Sequence, residues 1–228
     1  MRLQARIEAL RPKIKHVGGP LHVFEEAGRH QLILCLREGL NPGSKVLDIG
    51  CGCLRAGYWL IHFLDPDCYF GIEPSQEVLE AGTTYVLEPE TLEAKKPVFD
   101  HNAQFDCSMF GEVFDFFLAR SIWTHTAKTQ IQAMLDSFAR HAAPDGVFLT
   151  SYHRAGILRN RDYQGTEWVG FSHESEKPGH VYHRLSWVQA ECRQRGLCVE
   201  ELSARELNFG DQTWLRITRS GSSLRRAQ

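Results

Sequence analysis

A glycine-rich turn and a later carboxylate have the residue types and the spacing of a ligand site. Gly50 and Gly52 follow the apolar run 46–49 and precede a helical stripe. Glycines in such a turn let the backbone approach a bound group closely. Glu73 follows the next predicted strand, 23 residues after Gly50, close to the spacing at which a carboxylate accepts hydrogen bonds from a ribose diol. The two features predict a site for an adenosine-containing ligand.

The residues beside the second glycine discriminate between adenosine ligands. A dinucleotide-binding turn needs a small residue where this chain has Arg55, because helix and strand pack closely there and pyrophosphate lies at the helix end. S-adenosylmethionine carries no phosphate and tolerates a looser turn, and Asp48 would serve its cationic end. Cys51 and Cys53 are interpreted as small residues of the turn rather than as a thiol site. The sequence therefore favours S-adenosylmethionine over a nicotinamide cofactor.

The elements that must position these residues alternate between apolar runs and helical stripes. Helices are predicted over 54–64, from Ser75 as N-cap, around 131–138 and from Ser186 with a capping box to Gln189. Alternation of this kind predicts a parallel sheet in a doubly wound α/β fold. The connection 203–212 is too short for a helical crossover, which makes the last strand pair antiparallel. Strands are predicted at 46–49, 68–72, 114–119, 147–150, 197–202 and 213–218.

These motifs resemble the class I S-adenosylmethionine-dependent methyltransferases. The matching segments are Val46-Leu47-Asp48-Ile49-Gly50-Cys51-Gly52, Gly71-Ile72-Glu73-Pro74, Phe114-Asp115 with Ala119-Arg120-Ser121, and Ala143-Pro144-Asp145-Gly146. The resemblance implies a Rossmann-like, doubly wound seven-stranded sheet with an antiparallel last strand and helices on both faces. It also implies S-adenosyl-L-methionine as cofactor and S-adenosyl-L-homocysteine as product. The chain departs from the family at Cys53, where a third glycine is common.

The resemblance carries the cofactor contacts over position by position. It places Glu73 at the ribose and Asp106 at the adenine edge, with Asn102 and Gln104 as alternatives to Asp106. The segment 119–121 would form the floor of the site. The candidate cofactor-binding residues are Asp48, Gly50, Cys51, Gly52, Arg55, Glu73, Pro74, Asp106, Ala119, Arg120 and Ser121.

Two histidines are candidates for the catalytic base. Methyl transfer from a sulfonium is an in-line displacement that needs an aligned nucleophile in a site shielded from water. A hydroxyl acceptor must also lose a proton, and histidine is the natural base near neutral pH. His125 and His153 each follow a predicted strand, at the edge where open α/β sheets bind ligands. His153 ranks slightly above His125, because it enters the irregular stretch that follows. His125 could instead serve the next helix, whose N-cap is placed near Thr126.

A long irregular stretch, residues 151–185, separates the fifth strand from the next helix. Stretches of this length without regular structure are usually functional. Its aromatic and hydrogen-bonding side chains suit a polyhydroxylated or aromatic small molecule, and a surface loop that covers the sheet edge is the alternative. No carboxylate follows the fourth strand, so no metal is predicted. The candidate substrate residues are Tyr152, Trp168, His173, Tyr182 and His183.

The same patterns divide the chain into a helical N-terminal cap or lid at residues 1–40, a methyltransferase domain at 41–220 and a tail at 221–228. The insertion at 151–185 is assigned to substrate binding. The leading hypothesis is O-methylation of a small-molecule or sugar hydroxyl with a histidine base. The alternatives are an NAD(P)-dependent oxidoreductase and a non-catalytic module that binds a cofactor or a partner.

Composition limits the other function classes. The 228 residues include 26 Lys and Arg against 28 Asp and Glu, a formal net charge of −2, which gives no field for binding a polyanion. We therefore expect no nucleic-acid partner. The apolar runs are strand-sized, so no membrane partner is expected either. The seven cysteines are an odd number without C-x-x-C spacing, and the N-terminus has no secretory signal pattern, so we expect a cytoplasmic protein. The oligomeric state stays open.

Overall fold

The computed structural model describes residues 3–12, 20–172, 174–203, 207 and 212–221. The helices are α1 (Leu3–Leu10), α2 (Phe24–Arg37), α3 (Gly57–Phe63), α4 (Gln76–Ala81), α5 (Pro89–Lys95), α6 (Lys128–His141) and α7 (Leu185–Gln194). The strands are β1 (Val46–Ile49), β2 (Tyr69–Ile72), β3 (Val98–Asp100), β4 (Phe114–Ala119), β5 (Ala142–Tyr152), β6 (Leu197–Glu201) and β7 (Thr213–Arg219).

The strands form one seven-stranded sheet in the order β3-β2-β1-β4-β5-β7-β6. β2 runs parallel to both β1 and β3, and β4 runs parallel to β5. β7 is antiparallel to both of its neighbours, β5 and β6. With helices around it, this sheet confirms the predicted doubly wound, Rossmann-like α/β fold and its antiparallel last strand.

The chain separates into two compact units, residues 1–103 and 104–228. In the first unit, the N-terminal helices α1 and α2 contribute to a buried apolar cluster with the glycine turn. Burying one large side chain of this kind stabilises the fold by about 1.5–3 kcal/mol. The cluster contains Ile7, Leu10, Phe24, Cys53, Ala81 and Val86.

The core of the second unit is aromatic. The Phe117 ring packs edge-on against Phe114 and Phe138, with ring centroids 5.6 and 5.1 Å apart. Trp123 meets Phe148 in the same geometry at 5.8 Å. Edge-to-face pairs add directional preference to the area that the rings bury. They fix β4 and β5 against helix α6, and with them the strand ends that carry the candidate site.

One predicted helix start is confirmed to within one residue, and another is wrong. The cap of α6, predicted near Thr126, is Ala127, whose N–H donates to the Gln130 side chain at 2.8 Å. α7 begins at Leu185 after an Arg184 cap that makes no side-chain hydrogen bond, so Ser186 lies inside the helix. By contrast, the Ser75 cap on α4 is confirmed, since its Oγ accepts the Val78 N–H at 3.4 Å. No helix among the described residues is long and apolar enough to cross a membrane.

Candidate active site

The glycine turn of the first unit begins where β1 ends. The N–H groups of Gly50 and Cys51 both donate to the carbonyl oxygen of Ile72, at 2.8 and 3.1 Å. Gly50 and Gly52 have φ of 70° and 56°, a left-handed conformation that glycine adopts without steric cost. A Cβ at Gly52 would meet only the Gly50 oxygen, at 4.0 Å. The turn is therefore open on the side where a ligand would approach the backbone.

Glu73 ties this turn to the end of β2. One carboxylate oxygen accepts the N–H of Gly52 at 3.0 Å and the other accepts the N–H of Ser75 at 2.9 Å. Because a carboxylate can accept about four hydrogen bonds, it can hold backbone and ribose donors together. Pro74 is half-buried beside it. The predicted pairing of the glycine turn with Glu73 is present, and these residues fit an adenosine-containing cofactor.

Close packing fixes the rest of the turn from two sides. A Cβ at Gly28 would come within 2.1 Å of the Arg55 carbonyl oxygen, and one at Gly82 within 2.7 Å of the Cys53 backbone. The Arg55 guanidinium lies 5.1 Å from the centre of the Phe24 ring, and burial lowers its pKa. Arg55 thus packs between the turn and helix α2, a contact that brings the predicted N-terminal cap against the turn.

The turn cysteines are unsuited to thiol chemistry. Burial raises the pKa of Cys53 to about 11 and holds the pKa of Cys51 well above its ordinary value. Thiolate, rather than thiol, is the reactive form of cysteine. This agrees with their interpretation as small residues. A Cβ at Gly71 would lie 2.9 Å from the Cys51 sulfur, so the missing side chain of Gly71 makes room for that thiol.

Asp48 is buried beneath the turn. Its Oδ2 accepts a hydrogen bond from the Tyr69 hydroxyl at 2.7 Å. Burial, opposed by that hydrogen bond and reinforced by the charge of Glu73, raises the pKa of Asp48 to about 7. A Cβ at Gly57 would lie 2.8 Å from the Tyr69 hydroxyl, so Gly57 leaves space for the pair. A direct contact of Asp48 with the cofactor stays a prediction.

In the second unit, a polar network gathers at the end of β4. The Arg120 Nη1 donates to Ser121 Oγ at 2.9 Å and to Ser151 Oγ at 3.0 Å, and it also contacts Gln212. The Ser151 hydroxyl accepts the Ser121 N–H at 2.9 Å. Ser121 has a left-handed φ of 61°, a strained conformation that is often found at functional sites. Ala119, just before the network, is fully buried.

Asp106 is exposed and folds back on its own segment. Its two oxygens accept the N–H and the hydroxyl of Ser108, both at 2.9 Å. These bonds lower the pKa of Asp106 and keep the carboxylate ionised. The alternative candidate Asn102 donates to the Asp100 carboxylate at 2.8 and 2.6 Å. The adenine contact of Asp106 stays a prediction.

His125 lies against the insertion and its ring makes a backbone contact. Nδ1 is 2.6 Å from the Val169 oxygen, and the Val169 N–H donates to the His125 oxygen at 2.9 Å. The ring stacks on Trp168, with centroids 5.6 Å apart. Burial lowers the pKa of His125 despite the Val169 bond. This geometry favours an anchoring role for His125 over the predicted catalytic role.

The segment around His125 holds the insertion through several consecutive residues. The Thr124 oxygen accepts the Val181 N–H at 2.7 Å. The Thr126 oxygen is 3.1 Å from His183 Nε2, and Lys128 forms an ion pair with Asp162 at 2.7 Å. Sequence reasoning missed this anchor because backbone carbonyls have no side-chain signature.

His153 follows β5, whose end lies at the same sheet edge as the end of the parallel strand β4. The residue is partly exposed, and its ring is 4.5 Å from the His180 ring and 5.2 Å from the Tyr182 ring, between centroids. His180 Nε2 and the Tyr182 hydroxyl are 2.8 Å apart. The structure thus brings together His153 and Tyr182, and it adds His180, which is not among the predicted substrate residues.

Two predicted substrate residues are buried, and the expectation that they contact an acceptor is corrected. Tyr152 is 0% exposed and its hydroxyl bonds to Glu201 of β6. His183 is also 0% exposed, and burial lowers its pKa to about 4. Trp168 stays half-buried beside His125. His173 lies outside the described residues.

Metal ligands do not gather in the described ranges of the chain, where no group of three or more His, Cys, Asp or Glu residues could hold an ion.

A family model described as a methyltransferase domain matches residues 22–202. The chain belongs to the class I S-adenosylmethionine-dependent methyltransferases. This confirms the predicted family, enzyme class and cofactor. A search of curated proteins found no match to this methyltransferase.

Solved structures share its fold. The methyltransferase superposes on a DhpI complex with S-adenosylhomocysteine with a TM-score of 0.61 at 14% identity, covering 96% of this chain and 98% of that one. A magnesium protoporphyrin IX methyltransferase from Synechocystis PCC 6803, also with S-adenosylhomocysteine, gives 0.58 at 15% identity, covering 95% and 94%. A methyltransferase from Clostridium acetobutylicum ATCC 824 gives 0.63 at 11% identity, covering 96% and 100%.

Proposed function

We propose that this methyltransferase methylates a hydroxyl oxygen of a small molecule, with His153 as the general base. The observation that carries the proposal is the position of His153 just after β5, where the residue is partly exposed and its ring lies next to His180 and Tyr182. His125, the competing base, has its Nδ1 against a backbone oxygen instead.

Each part of the proposal corresponds to a residue of the chain. S-adenosylmethionine, when bound, supplies an electrophilic methyl group on a sulfonium. Gly50 and Gly52 bring backbone to the donor, and Glu73 accepts hydrogen bonds from its ribose. His153 takes the proton of the acceptor hydroxyl as the oxygen becomes nucleophilic. The aromatic rings of Tyr182 and Trp168 provide flat surfaces for an acceptor.

Similar proteins support a small acceptor. One solved structure that shares this fold is a magnesium protoporphyrin IX methyltransferase, and another is a glycopeptide N-methyltransferase. The second methylates nitrogen by its name, so the oxygen preference proposed here rests on the histidine and not on that similarity. The cytoplasmic location rests on cysteine usage and stays part of the proposal.

Donor binding is the first test. Isothermal titration with S-adenosylhomocysteine should give one site per chain, and absence of binding by the folded protein would reject the assignment. Turnover is then measured with a panel of sugars and phenols beside amines of matched shape. Methylation of amines alone would reject oxygen as the acceptor atom.

The base is tested by substitution. His153→Gln should lower kcat by roughly 10²–10⁴-fold, the usual contribution of a general base, with the affinity for S-adenosylhomocysteine unchanged. His22→Gln, at an exposed histidine, is the matched control and should leave kcat unaltered. A His153→Gln enzyme with full kcat and an unchanged pH profile would refute the role of His153.

A further inference from the structure

Two adjacent aliphatic side chains of the insertion project into water. Ile157 is 94% exposed and Leu158 is 87% exposed. Single exposed apolar residues are common on protein surfaces, but contiguous apolar surface of this kind indicates an interaction site. We call residues 156–161 the aliphatic tip.

The backbone of the tip is closed on itself. The Gly156 N–H donates to the Asn160 oxygen at 3.0 Å. Asn160 has a left-handed φ of 56°, which asparagine tolerates better than most residues. A Cβ at Gly156 would come within 2.7 Å of the Arg159 oxygen. This tight turn directs Ile157 and Leu158 away from the rest of the insertion.

Arginines flank the aliphatic pair in the sequence. Arg154, Arg159 and Arg161 are all exposed, and no acidic residue lies between positions 154 and 161. Arg154 pairs with Glu201 at 2.9 Å. Within the part of the chain that the structure describes, Arg159 and Arg161 have no side-chain hydrogen bond or ion pair. The base of the tip is therefore positively charged.

The next acidic residue does not neutralise this charge. Asp162 forms an ion pair with Lys128 at 2.7 Å and accepts the backbone N–H of Arg184 at 2.9 Å. Both contacts of the Asp162 carboxylate therefore hold the insertion in place. The tip thus presents an amphipathic surface, made of the aliphatic side chains of Ile157 and Leu158 and the guanidiniums of Arg159 and Arg161. The protein as a whole is slightly acidic.

We propose that the aliphatic tip docks this protein on the surface of an anionic lipid bilayer. Ile157 and Leu158 enter the boundary of the acyl chains, while the guanidiniums of Arg159 and Arg161 stay among the phosphates. A bilayer fits this surface better than a protein partner does, because the tip is convex and a fluid interface conforms to any protruding shape. The proposal departs from the sequence-based expectation of no membrane partner, and it involves surface contact rather than a membrane span.

Vesicle co-sedimentation of the full chain tests this without any methyl donor, so the result is independent of the proposed catalytic function. The protein should sediment with vesicles of phosphatidylcholine and phosphatidylglycerol in equal parts, and far less with phosphatidylcholine alone. Added salt should weaken the binding, since screening reduces the attraction between arginine and lipid.

Paired variants separate the two contributions. Ile157→Ser with Leu158→Ser should lower the partition coefficient by about tenfold or more, from lost apolar burial. Arg159→Gln with Arg161→Gln should lower it by about fivefold per arginine on anionic vesicles. All four side chains are exposed, so the melting temperature should not change.

Matched controls lie outside the tip. Val113→Ser removes a 56% exposed valine, and Arg11→Gln with Arg193→Gln removes two exposed arginines; both variants should bind vesicles like the wild type. Wild-type protein that does not sediment with anionic vesicles, or tip variants that bind as well as the wild type, would overturn the proposal. A change of oligomeric state in the tip variants without vesicle binding would identify the tip as a protein interface instead.

Discussion

The glycine turn and the insertion at 151–185 are built in contrasting ways. The turn is fixed by close backbone packing at Gly28 and Gly82 and by the Glu73 carboxylate. The insertion has little regular structure and is attached to residues 124–128 by a few hydrogen bonds and one ion pair. The glycine turn thus depends on a preformed backbone, whereas the insertion depends on a small number of replaceable contacts.

The largest effect is expected where the backbone packing of the turn is disturbed. Gly28→Ala would place a methyl group 2.1 Å from the Arg55 oxygen. Overpacking of a tight site costs about 1–3 kcal/mol, and a backbone obstacle puts this variant at the upper end. Thermal unfolding should show a clear fall in melting temperature. Gly43→Ala, whose new methyl group meets its nearest atom at 3.5 Å, is the control, and equal losses in both variants would contradict this account.

Glu73→Gln tests the carboxylate that joins the turn to β2. An amide would present its NH₂ group to the N–H of Gly52 or Ser75, and the ribose would lose a charged acceptor. A hydrogen bond to a charged group contributes about 1.5–3 kcal/mol. The Kd for S-adenosylhomocysteine, measured by calorimetry, should therefore rise by about ten- to a hundredfold. Glu77→Gln, exposed on α4, should leave the Kd unchanged; an unaltered Kd for Glu73→Gln would remove Glu73 from the cofactor site.

The raised pKa of Asp48 should make the free energy of unfolding depend on pH. Its pKa is about 7 in the folded protein, against an ordinary value of 3.8, so the folded state retains a proton that the unfolded state releases. Between these two pH values the free energy of unfolding should fall as pH rises, by at most about 1.4 kcal/mol per pH unit. Asp48→Asn should flatten this slope and be relatively more stable above pH 7. Asp65→Asn, at an exposed site, is the control, and a slope that Asp48→Asn leaves intact would exclude Asp48 as its source.

The smallest effect is expected in the insertion. His125→Phe keeps an aromatic ring against Trp168 but removes the contact with the Val169 oxygen. The free energy of unfolding should fall by about 0.5–1.5 kcal/mol, the net contribution of one hydrogen bond. Hydrogen exchange should quicken in residues 167–181 and not in the glycine turn. Loss of donor affinity in His125→Phe, or faster exchange in the turn, would break the contrast between the two regions.

The sequence predicted the elements that carry strong apolar runs between turns. β1 and β4 match the predicted residues 46–49 and 114–119. β3 was not identified because Val98–Asp100 has only three residues, of which two are apolar, too few to form a recognisable apolar run. The start of α6, predicted near Thr126, lies one residue later, because the side chain of Gln130 bonds the N–H of the Ala127 cap.

Within the candidate site, the sequence predicted the features that depend on chain order and missed those that depend on side-chain packing. The pairing of Glu73 with the glycine turn follows from strand ends that share a sheet edge, which is a property of chain order. The roles of Tyr152, His125 and His183 depended on where each side chain points. The residue type shows which groups a side chain can bond to, but its position in the fold decides which groups it actually contacts. All three found partners within the protein.

The close contact between Gly28 and the Arg55 carbonyl has a practical consequence for engineering. The shape of the donor turn is inherited in part from a helix that precedes β1 in the chain. A fragment trimmed to start at β1 would report on a differently shaped turn. Chimeras that exchange the insertion at 151–185 with relatives should therefore keep α2 and its glycine together with the glycine turn.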